Sequence, residues 1–118
     1  MSLKELLRDL VYGCDAVGAV VMDADGIALD EFLSDDLFDL QGCSVEFVSI
    51  IRETCHATAL LESGGVNEMA ILTENLRILI RILADGLTLF LVQAGDGNYG
   101  KARYLMRRDR HKFIEVLA

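Results

Sequence analysis

The sequence predicts an α+β domain: a mostly antiparallel five-stranded sheet with helices on its faces. Three observations carry that reading. Apolar residues recur with helical period at the start, in the middle and at the end of the chain. Between these stretches lie runs of strand length, two after the first helix and three after the second. Short turns join neighbouring runs, so they pair as antiparallel hairpins. The order is helix, two strands, helix, three strands, helix, and 118 residues suffice for one compact domain, 1–118, and not two.

The first helix opens on Ser2-Leu3-Lys4-Glu5, a capping box in which Ser2 receives the amide of Glu5 and Glu5 reaches back. Leu3, Leu6, Leu7, Leu10 and Val11 form one stripe, and Gly13 ends the helix. AVGAVVMD and IALDEFL flank Ala24-Asp25-Gly26, a hairpin signal because Gly26 tolerates positive φ. The DADG stretch is not a calcium loop, which needs its Gly at the sixth position and a later Glu. Residues 34–43 read as an acidic loop ending in Gly42. A second helix runs from about Ser44 to Glu62 and stops at Ser63-Gly64-Gly65. On a helical wheel Phe47, Val48, Ile50, Ile51, Thr54, Cys55, Ala57, Thr58, Ala59 and Leu61 cover more than half of the circumference. A helix on one sheet needs an apolar arc of only about 100°. Either a second layer covers this helix or another chain does.

Three strands follow. VNEMAILT is a candidate edge strand. LRILIRIL puts Leu76, Ile78, Ile80 and Ile82 on one face and Arg77, Leu79, Arg81 and Leu83 on the other. Asp85-Gly86 turns the chain, and LTLFLVQ, apolar on both sides, reads as a central strand. The last helix begins near Asn98 and buries Ala102, Leu105, Met106, Phe113, Val116 and Leu117.

Composition narrows the function classes. Hydrophobic residues make up 53% of the chain, so a core is expected and disorder is not. The longest apolar region is cut by Arg77, Arg81, Asp85 and Gly86, which argues against membrane insertion, and the charged start MSLKELLRDL is not a signal peptide. A net charge of -8 argues against non-specific nucleic-acid binding. Asp15, Asp23, Asp25, Asp30, Glu31, Asp35, Asp36 and Asp39 gather in a stretch without Lys or Arg, whereas the last helix carries Lys101, Arg103, Arg107, Arg108, Arg110 and Lys112. These are either two solvated faces of opposite sign or partner-docking surfaces. Cys14, Cys43 and Cys55 suit a reducing cytoplasm and free, mostly buried thiols. Cys55 and His56 point about 100° apart on a helix, and no CxxC, HxxxH or carboxylate–His cluster completes a site. No catalytic residue, metal or cofactor is expected; Cys55 reads as a core residue beside a surface His56.

One motif needs a decision. GDGNYGKA, residues 95–102, fits most of the G-x-x-x-x-G-K-[ST] phosphate loop. Such a loop belongs to a βαβ unit, but only a helix fits after Lys101. Ala102 lacks the hydroxyl that would hold Mg²⁺, and Asp96 would lie in the anion cradle. The alternative is that Gly95 and Gly97 turn the chain and Asn98 caps the helix.

The same stretch, Asn98-Tyr99-Gly100-Lys101-Ala102-Arg103 followed by Leu105-Met106-Arg107, resembles the N-x-G-x-A-R-x-x-L-R pattern that opens the last helix in the roadblock/LC7 superfamily. VGAVVMDADGIAL looks like that family's first hairpin with its D-x-D-G turn. The resemblance covers nearly the whole chain. It implies a profilin-like sheet, order α-β-β-α-β-β-β-α, with the second helix on one face and the first and last on the other. It implies a dimer in which third strands pair edge to edge and second helices pack together, with Ile51, Thr54, Thr58, Leu61, Val66, Met69 and Ile71 in the interface. Family members are mostly non-enzymatic platforms for Ras-like small GTPases, as in MglB-type polarity regulators and lysosomal scaffolds; others are dynein light chains. The lack of extended tails suggests a minimal bacterial-type module.

The leading reading is therefore a cytoplasmic homodimer that binds a Ras-like small GTPase and bears on its nucleotide cycle without being an enzyme. The outer side of the second helix, with Glu46, Ser49, Arg52, Glu53 and His56, is the candidate docking surface; a merely soluble face is the alternative for each residue. Arg52 is nearest by position to an arginine finger, but positioning of the GTPase's own residues is the expected mechanism. The second reading is a structural adaptor for a peptide or motor-associated chain. Small-molecule sensing would need a polar group inside the core, and none stands out in the strands.

Overall fold

The computed structural model describes every residue except Asp36, Leu37 and Asp85. Part of the expected acidic loop and the first position of the expected Asp85-Gly86 turn thus lie outside the described residues. The elements are α1 (Leu3–Gly13), β1 (Ala16–Met22), β2 (Ala28–Leu33), α2 (Leu40–Ala59), β3 (Glu68–Leu72), β4 (Leu76–Ala84), β5 (Leu87–Ala94), α3 (Tyr99–Arg108) and α4 (Arg110–Leu117). The strands form one antiparallel sheet in the order β2-β1-β5-β4-β3. β5, apolar on both faces, lies in the centre, and β3 is an edge.

The alternation of β4 divides the core. Leu79 and Leu83 join Leu6, Leu7, Leu10, Val11, Leu105, Met106 and Phe113 beneath α1, α3 and α4. Ile78 and Ile80 face the other way, with Val20, Met22, Phe90 and the residues of α2. The sheet is thus covered by α2 on one face and by the other helices on the opposite one.

Local chemistry sets the ends of the elements. Ser2 accepts the Glu5 amide at 3.1 Å and donates its hydroxyl to the Glu5 carboxylate at 3.2 Å. In the first hairpin Asp23 Oδ1 accepts the amides of Asp25 and Ile27 at 2.9 and 3.0 Å, with Gly26 at φ 80°. The second helix starts earlier than expected. Asp39 accepts the Gly42 amide at 3.0 Å and caps α2, so Gly42 sits in the first turn and does not end a loop. A Cβ at Gly42 would collide with the Asp39 carboxylate, which explains the glycine. α2 also stops sooner, at Ala59; Glu62 (φ 52°) and Gly64 (φ 93°) then reverse the chain.

Gly13 closes α1 as expected; the left-handed residue is Asp15, at φ 53°. Gly13 also serves packing, since a Cβ there would stand 3.0 Å from Leu105. The last helix is two helices. Asp109, with ψ near 1°, breaks the path, and the change of direction lets the Arg110 guanidinium donate to the carbonyls of Ile82 and Leu83 at 3.1 and 2.5 Å. The break also shifts the helical phase, so Phe113, Ile114 and Leu117 face the core while Val116 is exposed.

Cysteines are less buried than expected: Cys14 is buried, Cys55 partly so, and Cys43 is exposed. Finally, a polar group does lie inside the strands. Gln93 on β5 is fully buried, and its Nε2 donates to the carbonyls of Cys14 and Asn98 at 2.9 and 3.1 Å. It ties the end of α1 to the start of α3, and its only signal in the sequence is a lone amide at the end of an apolar run.

Candidate functional site

Part of the backbone of the loop before α3 is hydrogen-bonded within the chain. Gly95 N–H donates to Asn75 O at 2.9 Å, and Gly97 N–H donates to Ala94 O at 3.0 Å. The Lys101 amide donates to Asn98 Oδ1 at 2.9 Å, and the Ala102 amide to Asn98 O at 3.0 Å. Asn98 is therefore the cap, and the amides of Gly95, Gly97, Lys101 and Ala102 are occupied within the chain. Gly97 is required because any Cβ would overlap Gln93. Among the described residues no cluster of His, Cys, Asp or Glu could hold a metal ion.

An open apolar surface lies on the α2 side. α2 touches the sheet through a narrow stripe: Leu40, Ser44 and Ile51 are buried, and Phe47 and Cys55 pack beside them. Much of the rest of its apolar arc is uncovered. Ile50 is 48% exposed, and Leu60 and Leu61 past the helix end are 86% and 73% exposed. α2 lies over β1. Over β3, Met69 and Ile71 are therefore only partly covered. A groove of about 360 Å³ runs between α2 and the strand ends, lined by Val48, Ile51, Cys55, Val66 and Ile82 among others.

The edge of β3 is open too. Ile82 N–H donates to Asn67 O at 3.0 Å, and Thr73 N–H donates to Leu76 O at 2.8 Å. Within the β3–β4 register this turns the odd-numbered residues of the strand toward β4. Glu68, Ala70 and Leu72 then present their N–H and C=O groups outward.

The expected interface residues fall into separate groups. Ile51 is 8% exposed and packs inside the chain's own core. Thr54 and Thr58 are half-buried, their hydroxyls donating to the carbonyls of Ile50 and Cys55 at 2.8 and 3.2 Å. Val66, Met69 and Ile71 are half-buried around β3, and Leu61 is exposed. Glu46, Ser49, Arg52, Glu53 and His56 are placed on α2, with Glu46, Arg52, Glu53 and His56 exposed and Ser49 among the outward positions beside them. Arg52 is not a free charge: its guanidinium donates to Ala24 O at 3.1 Å and clips α2 to the first hairpin turn.

No protein-family model matches the sequence, and no curated protein does. Solved structures do. MglC from Myxococcus xanthus shares 31% identity over 96% of this chain and 97% of its own, with a TM-score of 0.67. The gliding protein MglB from Thermus thermophilus shares 16% over 95% of this chain and 85% of its own, with a TM-score of 0.87. A roadblock/LC7 domain from Streptomyces avermitilis shares 14% over 99% and 98%, with a TM-score of 0.86. The likeness to the last two is one of fold, and the likeness to MglC extends to sequence. With the capped Asn98 motif, the D-x-D-G hairpin and the element order in place, the chain belongs to the roadblock/LC7 superfamily.

Proposed function

We propose that residues 1–118 form one roadblock unit that dimerises and, as a dimer, serves as a non-enzymatic platform for a Ras-like small GTPase in the reducing cytoplasm. The observation that carries this is the continuity of the uncovered α2 flank with the open β3 edge. An apolar strip beside unpaired backbone is what a second copy of the chain would cover. Pairing β3 to β3 would bring two α2 helices together and join their outer faces into one docking surface. The clip from Arg52 to Ala24 argues against a free arginine finger and for positioning of the GTPase's own groups. The free thiols of Cys14, Cys43 and Cys55 suit a reducing compartment.

The test is titration of the dimer with the organism's Ras-like GTPase in its GTP and GDP forms. One form should bind more tightly, and Glu53→Lys should weaken binding mainly through association rate and salt dependence. Glu53 is the cleaner probe because reversing Arg52 also cuts the clip to the hairpin. If neither form binds, or Glu53→Lys has no effect on an intact dimer, the platform reading fails. The outward groups of Glu68, Ala70 and Leu72 favour a second reading, an adaptor that accepts a peptide by strand addition. Binding that ignores the nucleotide state and is lost when β3 is blocked would select it.

A further inference from the structure

The face of the sheet opposite α2 carries a second feature. An open groove of about 910 Å³ lies between α3 and the β3 edge, lined by Glu68, Arg81, Arg103, Tyr104, Arg107 and Arg108 among others. Four arginines thus face one carboxylate, in a chain whose net charge is -8.

Three of the arginines are held in place. Arg81 donates to Glu68 at 3.1 Å, and Arg103 pairs with the other oxygen of the same carboxylate. The hydrogen bond and charge of Arg103 hold the Glu68 carboxyl below its usual range. Arg103 also lies over the Tyr99 ring, 5.9 Å from its centroid. Arg108 is fixed by Asp109 at 2.8 Å and stands 5.8 Å from the Tyr104 ring centroid. Arg107 has no hydrogen-bond or ion-pair partner among the described residues, and Tyr104 is 60% exposed. Glu68 shows what this arrangement recognises: two guanidiniums close on one carboxylate, and the remaining fork points have capacity left.

We propose that this groove is a docking site for an acidic segment of a protein partner. Preorganised Arg and exposed Tyr are the residue types that anchor protein interfaces, because planar forks and rings lose little freedom on binding. The charge is concentrated in a concave patch, which focuses its field on a short anion. The rest of the chain is strongly acidic and repels a long polyanion, so a few carboxylates suit the groove better than a nucleic-acid backbone. The site is separate from the α2 surface and requires no GTPase there.

The experiment uses the full chain and a short fluorescein-labelled oligoglutamate peptide, read by anisotropy at low ionic strength. A labelled oligothymidylate of the same length is the second probe. Arg107→Glu reverses an unpartnered charge in the groove. Arg8→Glu makes the same change in net charge on α1, outside it, where Arg8 pairs only with exposed Asp9. The expected result is oligoglutamate binding that Arg8→Glu leaves nearly intact and that Arg107→Glu weakens about tenfold. Circular dichroism should show both variants folded, since both positions are exposed. No binding to the wild-type chain, or equal losses in the two variants, overturns the proposal. So does tighter binding of the oligothymidylate, which would make the groove a nucleic-acid site. A drop in oligomer mass of Arg107→Glu alone would overturn it too, because a second copy would then be the occupant.

Discussion

Proline at Ala70 would separate the proposed dimer from the fold. In the β3–β4 register the Ala70 N–H points away from β4, so proline there removes no bond within the chain. Edge strands accept proline where the missing N–H faces solvent. Ile71→Pro, one residue on, removes an amide that faces β4 and serves as the control. If two β3 strands pair antiparallel about Ala70, Glu68, Ala70 and Leu72 of each copy supply about six ladder bonds. Ala70→Pro deletes the central two and leaves two carbonyls buried without donors, at about 1–3 kcal/mol each. The dimer should lose about 2–6 kcal/mol, which raises its Kd about thirtyfold at the low end. Light scattering across a dilution series reads the dimer, and urea denaturation reads the subunit. Ala70→Pro should shift the first curve much more than the second, and Ile71→Pro should lower stability outright. An unchanged dimer in folded Ala70→Pro would refute edge pairing, and a wild-type chain monomeric at all concentrations would refute the dimer.

Gln93→Leu should cost about 1–3 kcal/mol in urea denaturation, because it takes the donor from the Cys14 carbonyl at a buried position, while Asn98 O keeps the Ala102 amide; a neutral result would mean that water replaces the amide. Iodoacetamide followed by mass spectrometry should label Cys43 first and Cys14 only on unfolding. Burial raises both thiols, Cys14 to about 11, and only Cys43 is exposed. Calorimetry with ATP or GTP and Mg²⁺ should show no binding, since the amides of Gly95, Gly97, Lys101 and Ala102 are occupied; micromolar affinity abolished by Lys101→Ala would contradict that.

Much of the architecture was legible because it rests on short-range rules. The two-residue alternation of β4 assigns its side chains to the two core layers, and the lack of a polar face on LTLFLVQ places β5 in the centre. The over-apolar arc of α2 pointed to the surface that remains open. What was not legible depends on contacts distant in sequence. Arg52 looks like any exposed helix charge until the hairpin carbonyl of Ala24 comes within reach. The basic residues of the last helix look like one face. In the structure Arg103 turns to β3, Arg110 to β4, and Arg107 is left open. Helix boundaries slipped for a local reason: Asp39 is both part of an acidic run and a cap, and only the cap role moves the start of α2.

The strand order has a kinetic consequence. Two parts of the sheet are local, the β1–β2 hairpin and the β3–β4–β5 meander, and each can begin to form from its own segment. They join only where β1 meets β5, pairing Ala16 with Gln93 and Met22 with Thr88. That seam closes a loop of about seventy residues, and closure entropy must be met before its contacts can compensate. During synthesis the hairpin therefore waits, one flank unpaired, until nearly the whole chain has left the ribosome. The unpaired flank of β1 is richer in buried apolar residues than β3 will ever be. A nascent chain held at that stage is more exposed to mispairing than the finished protein, and this interval is where a chaperone would matter most.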